Sequence, residues 1–353
     1  MKQLSVLVFA LSSLWLCTPA QSASEKPLPN TGAGSQAAVR EGHGPVLSLI
    51  EENDDLANNG DQHYTQGIRL SYSLAEDQTP RWAARLADQL PSFGMRRDVP
   101  RFGIALGQSI YTPKNMFTRD MILDDRPYAG WLYLGATLQR RGVTARNTPV
   151  LDNYELDVGI VGPDSLAQRT QTWWHALGGW LLPLGWHNQI KEEPGLVLKY
   201  ERQWKFSPTR PEAGWGIEFL PHAGTSLGNV QTFGAAGAIA RAGYNIPDDF
   251  GIQTIDSLAT QAGGRTSNTR QFGGYVFAGV EGRAIAHSAF LDGNLWQRCH
   301  TVCKEPLGGE FKVGGVLTLK YFELGLMLLE RTREFKGQPR NDRFGSLSMG
   351  VRF

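Results

Sequence analysis

From Val46 to Phe353 the chain repeats one pattern about twelve times: apolar and polar side chains alternate with a period of two. In the run 65–74 the apolar positions are Ile68, Leu70, Tyr72 and Leu74. Such alternation predicts strands with two unlike faces. The runs lie near 46–53, 65–74, 101–110, 129–140, 153–161, 195–204, 215–226, 234–244, 271–287, 308–319, 321–331 and 343–353. Glycine and aromatic usage are high, and beyond the N-terminal leader no stretch is long and apolar enough for a transmembrane helix. The fold class is therefore all-β, as either a soluble domain or a membrane barrel.

The N-terminus reads as an export signal over 1–23. Lys2 precedes an apolar run from Leu4 to Leu16, and small residues around Ala20 to Ala23 offer a cleavage site. Leu16 is too bulky, just before Cys17, for lipoprotein processing, so no lipid anchor is expected. Residues 24–44, rich in Pro, Gly, Ser and Ala, read as a flexible periplasmic lead-in, and 45–353 as the β domain. Export makes Cys299 and Cys303 candidates for a small loop disulfide rather than a zinc site, with His300 a bystander. A net charge of +1 gives no reason to expect nucleic acid or another polyanion as partner.

The last residues choose between the two β architectures. Leu347, Met349, Val351 and Phe353 alternate against small or polar partners, with Phe344 out of step. One lipid face and one interior face would produce this pattern. A terminal phenylalanine on such a strand resembles the signal read by the barrel assembly machinery. The expectation is a transmembrane antiparallel up-and-down β-barrel of about 12 strands, an even number as bacterial barrels require. It is integral to the bacterial outer membrane and monomeric.

With both termini periplasmic, the connections near 54–64, 111–128 and 162–194 emerge at the outer face. Those at 75–100 and 245–270 fall inside, and within the first of these Trp82, Leu86 and Leu90 have the spacing of a short amphipathic surface helix. The outer connections hold the chemistry-bearing residues. The segment from Ile50 through Asn53, Asp54 and Asp55, with Thr65 beyond a turn at Asn58-Asn59-Gly60-Asp61, concentrates acid, amide and hydroxyl groups. It is either a polar hairpin or an oxygen-donor cluster for a hard cation, without EF-hand spacing. In the third connection Gln171 and His175 lie four apart and share a helix face, among Trp173, Trp174, Leu177 and Trp180, which suit a membrane interface. His175 is a candidate general base, against the plainer reading of a structural or exposed histidine. Ser165 lacks a Gly-x-Ser-x-Gly elbow, so a serine triad is not expected. The second connection carries Lys114, Arg119, Asp124, Asp125 and Arg126, of which one or two could meet a phosphate or sugar-acid carboxylate of a glycolipid.

Taken together these segments resemble the outer-membrane lipid A 3'-O-deacylase family. The resemblance rests on Glu52-Asn53-Asp54, Tyr64-Thr65-x-Gly67, Gln108-x-Ile110-Tyr111-Thr112-Pro113, Asp125-Arg126-Pro127-Tyr128-Ala129-Gly130, Gly162-Pro163, Gln171-x-x-x-His175 and Gly185-Trp186-x-x-Gln189. It implies a calcium-dependent, twelve-stranded esterase that removes the acyloxyacyl chain at the 3' position of lipid A in the outer leaflet. In that picture His175 activates a water, Gln171 positions it, and Asn53, Asp54 and Thr65 form the calcium and polar side. A glutamate carried by some members after the histidine is Leu181 or a neighbour here, and Glu193 or Glu192 is the substitute ligand expected. Lys114 and Arg126 are the residues expected at the lipopolysaccharide head group. The rival expectations are a barrel phospholipase or esterase of other lipids, and a non-enzymatic pore or structural barrel.

Overall fold

A computed structural model describes residues 44–57, 63–209, 214–252, 254–258 and 272–353. The export signal, the lead-in up to residue 43 and the turn at Asn58-Asn59-Gly60-Asp61 lie outside the described residues. The strands are β1 (Val46–Asn53), β2 (His63–Ser73), β3 (Arg96–Thr112), β4 (Ala129–Val143), β5 (Pro149–Val161), β6 (Glu193–Trp204), β7 (Phe206–Thr209) and β8 (Trp215–Gly228). They continue with β9 (Gln231–Tyr244), β10 (Phe272–Ser288), β11 (Leu307–Leu319), β12 (Phe322–Arg331) and β13 (Asp342–Arg352). Three helices, α1 (Arg81–Gln89), α2 (Ala167–Gly178) and α3 (Ala289–Asp292), lie in the connections.

Apart from β6 and β7, which do not pair with each other, strands adjacent in sequence pair antiparallel, and β1 pairs with β13. The remaining gap is closed by β6 on β8, while β7 continues the line of β6 along the same partner. Counting β6 and β7 as one interrupted strand, twelve strands close the sheet on itself, so its middle has no open edge to pair or cover. The alternation read from the sequence is the alternation of the wall. Ile104, Leu106, Leu134, Val158, Val276 and Leu326 point outward and are exposed, as a lipid-facing belt must be. On β13, Leu347, Met349 and Val351 share that outer face, while Phe344, Ser346 and Ser348 are buried inside.

The lumen is packed. Arg69 forks onto Glu155 through Nη1 and Nη2 at 2.9 and 2.8 Å, and Lys199 bridges Glu155 and Asp157 at 3.1 and 2.9 Å. Arg241 is clasped by Glu218 and Asp249. The inner connection after β9 turns back into the barrel and buries Phe250, Ile252, Ile255 and Leu258. The Ile255 N–H donates to Glu52 Oε1 at 3.0 Å, and Asp256 meets Arg283 and Arg331 at 3.0 and 2.9 Å. This filling removes the support a water-filled interior would lend to the pore reading.

The expected short surface helix forms as α1, burying Ala83 and Ala87 and leaving Trp82 and Leu86 exposed. Trp82 packs edge-on against Phe102, 5.0 Å between ring centres. One local expectation needs correction: Cys299 and Cys303 are not bridged. Cys299 Sγ accepts the N–H of Asn294 at 3.3 Å, which directs it into its own loop and leaves Cys303 exposed.

Candidate active site at the outer rim

The second and third outer connections fold over the ends of β3 and β4, and most of the motifs named above serve to fasten them there. Gly162, with φ +89°, turns the chain where a Cβ would come within 2.5 Å of the Lys191 carbonyl oxygen. Ser165 follows, wholly buried, with Oγ donating to the Gly162 carbonyl at 2.5 Å and its own carbonyl accepting Gln108 Nε2 at 2.6 Å. Its hydroxyl is thus spent on the turn, in line with the absence of a nucleophile elbow. The helix α2 then packs on β3 and β4. Beneath it Ile110, Met116, Tyr128, Ala167 and Trp186 form a small apolar core separate from the lumen.

Met116 is the hub of this platform. Its carbonyl accepts the Leu184 N–H at 2.8 Å and Tyr128 Oη at 3.1 Å, and its Sδ lies 4.0 Å from Gln171 Nε2. Trp186 Nε1 donates to Gln171 Oε1 at 2.8 Å. Gln171 is therefore held from both ends of its amide, in a buried position. Burial pushes the Tyr128 phenol up to about 12, so it remains a hydrogen-bond donor throughout the neutral range.

His175, one turn after Gln171, is buried on the same helix face. Its Nδ1 lies 2.6 Å from the carbonyl oxygen of Leu181. A carbonyl only accepts, so the proton of the neutral ring sits on Nδ1 and the lone pair on Nε2. The chain reverses after α2 at Gly179, in a left-handed conformation (φ +70°), and so brings Leu181 back to the ring. The main-chain oxygen of Leu181 thus orients the histidine at a place where the resemblance led to the expectation of a glutamate.

On the β1–β2 side, Asn53 ends β1 and its side chain accepts the Asp55 N–H at 2.7 Å, capping a short 3-10 turn that begins with the buried Asp54. Thr65 sits at a bulge in β2, and its hydroxyl pairs with that of Thr112 at 2.7 Å. A line of contacts joins the two sides. His63, at the head of β2, meets Asp342 at 2.5 Å and Asp125 at 3.5 Å. Asp125 accepts the backbone N–H groups of Lys114 and Arg126, each at 2.7 Å. Burial raises the Asp125 carboxyl, but the bonds from His63, Lys114 and Arg126 outweigh it and leave the group below the ordinary aspartate range.

The other expected residues are placed as follows. Lys114 is exposed on the second connection. Arg126 is buried, 5.1 Å over the Tyr111 ring and 3.1 Å from Glu334 Oε2, so its charge is met inside the protein. Glu193 starts β6, five strands from β1 in the sheet order. Its carboxylate accepts Asn229 Nδ2 and the Leu295 N–H, each at 3.0 Å, and the Trp296 N–H at 3.4 Å. Asn53, Asp54 and Thr65 offer oxygen donors alone, which is the chemistry of a calcium site. By donor type these residues fit calcium, and the Glu193 carboxylate is a fourth oxygen donor that also accepts three N–H groups.

Sequence reasoning missed several contributors. Trp186 and Met116 as clamps of Gln171, and the Leu181 carbonyl, depend on a loop folding back on itself, which periodicity does not reveal. Glu52 faces inward to receive Tyr64 Oη at 2.7 Å and the inserted segment at Ile255. Gly67 leaves room for both, since a Cβ there would stand 2.1 Å from Tyr64 Oη and 2.9 Å from Ile255 Cδ1. A separate group of ligand-type side chains, Glu201, His222 and Glu281, lies in the lumen. The period-two pattern of β6, β8 and β10 could have placed these three on the inner face.

Around the site the surface is apolar. Phe117, Met121 and Leu123 of the second connection and Trp173, Leu177 and Leu181 of the third are all exposed.

Comparison with known proteins agrees with this architecture. Among solved structures the chain is similar to LpxR from Salmonella typhimurium, with 21% identity, a TM-score of 0.69, and coverage of 87% of this chain and 100% of that one. Weaker likenesses are to the β domain of the Bordetella autotransporter BrkA (10% identity, TM-score 0.45, covering 89% and 100%) and the translocator domain of NalP from Neisseria meningitidis (10%, 0.34, 88% and 89%). No curated protein sequence matches the chain. The model of the family described as outer membrane protein LpxR matches residues 7–353, nearly the whole length. This membership supports a lipid A deacylase role, and with the closed barrel it places the chain integrally in the outer membrane. The chain belongs to the outer membrane protein LpxR family.

Proposed function

We propose that the protein hydrolyses the ester that joins the acyloxyacyl chain to the 3' position of lipid A, with His175 as general base. The observation that carries this reading is the Nδ1–Leu181 hydrogen bond, which sets the tautomer of His175 so that Nε2 carries the lone pair. Nε2 takes a proton from a water, and the water oxygen attacks the ester carbonyl carbon. The carbon–oxygen bond to the sugar then breaks, and the proton passes from the imidazolium to the departing 3' oxygen. The products are a free acyloxyacyl acid and a 3' hydroxyl. His175 lies in the last turn of α2, whose carbonyl end favours the positive charge the ring gains.

Gln171, fixed by Trp186 and Met116, serves to orient the water or the ester, because an amide with a single permitted orientation presents one donor and one acceptor direction. Asp54, with oxygens of Asn53 and Thr65, would hold calcium, which supplies charge stabilisation to an ester oxygen during attack. Glu193 anchors the fifth outer connection through Leu295 and Trp296 and so shapes the same rim. Lys114 extends from the second connection as the cation for a lipid A phosphate, while Arg126 keeps that connection in place from below. The exposed tryptophans and leucines around α2 suit a site that takes its substrate from the outer leaflet.

Mass spectrometry of lipid A from cells expressing the protein, beside cells expressing His175→Ala, tests the reading. Loss of one acyloxyacyl unit only with the intact histidine supports it. Unchanged lipid A with a folded, inserted barrel transfers the weight to another lipid ester or to a non-enzymatic barrel.

A further inference from the structure

Well away from the rim, three strands bring ligand-type side chains together inside the barrel. Glu201 of β6, His222 of β8 and Glu281 of β10 place one ligand atom each within 4.8 Å of the others. All three residues are at most 5% exposed. His222 Nε2 lies 3.0 Å from Glu281 Oε2. Glu201 Oε1 and His222 Nδ1 are buried and have no hydrogen-bond partner among the described residues. Beside it on the same wall, Gly237 of β9 pairs with His222 and lacks the Cβ that would stand 2.7 Å from His222 Nε2.

We propose that Glu201, His222 and Glu281 bind a first-row divalent metal ion, zinc by preference, as a brace across the lumen. One imidazole and two carboxylates form a mixed nitrogen and oxygen donor set, which suits zinc, whereas calcium takes oxygen alone. Donor atoms about 3 Å apart are what metal–ligand bonds of about 2.0–2.2 Å require. The charge balance points the same way. Arg283 Nε donates to Glu281 Oε1 at 2.7 Å, leaving Oε2 on the side of His222. Lys312 of β11 and Gln203 of β6 interact with Glu201 without satisfying its Oε1. A divalent ion would meet that oxygen and the adjacent carboxylate together. The rival occupant of the same space is a proton on His222, which would make an imidazolium between two carboxylates. This inference is independent of the deacylase reading.

The test uses full-length protein, purified from membranes in detergent and stripped with chelator, in the His175→Ala background so that the imidazole of the proposed deacylase site does not contribute. Zinc alone is titrated by calorimetry, and cobalt alone is followed by its visible absorption. The expected result is one tight equivalent with a cobalt spectrum of mixed nitrogen and oxygen ligation. It should weaken more than ~100-fold in His222→Asn and in Glu201→Gln, since loss of a direct ligand exceeds the effect of an outer-shell partner. Absence of a tight equivalent, or one unaltered by both substitutions, overturns the proposal. Should both variants fail to fold, X-ray absorption of the zinc-loaded His175→Ala protein decides. One imidazole among oxygen ligands supports the site, and an all-oxygen shell refutes it.

Discussion

The lumen and the outer platform are built from similar residue types but use them in opposite ways. In the lumen nearly every charge is answered by another: Arg69 by Glu155, Lys199 by Asp157, Arg241 by Glu218 and Asp249, Arg283 and Arg331 by Glu310 and Asp256. The platform orients its polar groups from its own loops, Gln171 by Trp186 and Met116 and His175 by the Leu181 carbonyl, within an apolar surround. A mostly closed network resists change and does little chemistry, because most of its charges already have a partner. On the proposed function, an oriented histidine in an apolar surround keeps its reactivity, and the part that holds the barrel together is separate from the part that would act on a substrate.

The sharpest way to break this comparison is at His175. Replacement by alanine should lower deacylation by about 10²–10⁴-fold, the usual worth of a general base, while heat-modifiable migration on gels stays that of the parent. Retained hydrolysis would remove His175 from the mechanism. The complementary change is Arg241→Ala in the lumen. It strands two buried carboxylates and should destabilise by about 3–5 kcal/mol. The readout is a lower unfolding temperature, with lipid A processing below that temperature unaltered. If activity fell in step while the barrel stayed folded, the two regions would not be separable.

A finer probe is Trp186→Phe, which keeps the ring and deletes the donor to Gln171. It should cost about 0.5–1.5 kcal/mol, read as a roughly 2–10-fold drop in kcat with KM nearly unchanged. A change confined to KM would instead assign Gln171 to substrate binding. The smallest effect expected is acid sensitivity of the rim. Asp125 titrates below its ordinary range in the folded protein, so its contribution is complete above about pH 4 and is lost as the pH falls through the lowered value. Proteolysis of the outer connections should therefore speed up only below about pH 4 in the parent, and Asp125→Asn should show the faster rate already at neutral pH.

Much of this molecule could be read before any fold was known. The alternation in runs such as 65–74 and 343–353 specifies which side chains meet lipid and which meet the lumen, because a period of two leaves a strand only two faces. The even count of runs then assigns each connection to one side of the membrane. Gln171 and His175 share a face for the equally local reason that helical neighbours recur four residues apart. In contrast, the spacing of Trp82 and Leu86 gives a surface helix but not which of its residues are covered: Ala83 and Ala87 are buried, Trp82 and Leu86 exposed. Periodicity locates an apolar face without saying whether protein or lipid covers it.

What sequence alone determined is the barrel and the helix face that Gln171 and His175 share, since each follows from spacing along one element. Tertiary structure alone decided the partners. That Leu181 turns back to orient His175, that Glu193 serves Leu295 and Trp296, that Arg126 is met by Glu334, and that Glu201, His222 and Glu281 converge all depend on contacts between segments far apart in the chain or on a loop's reversal. Such contacts arise when the sheet closes and its loops fold over the rim, and no local period encodes them.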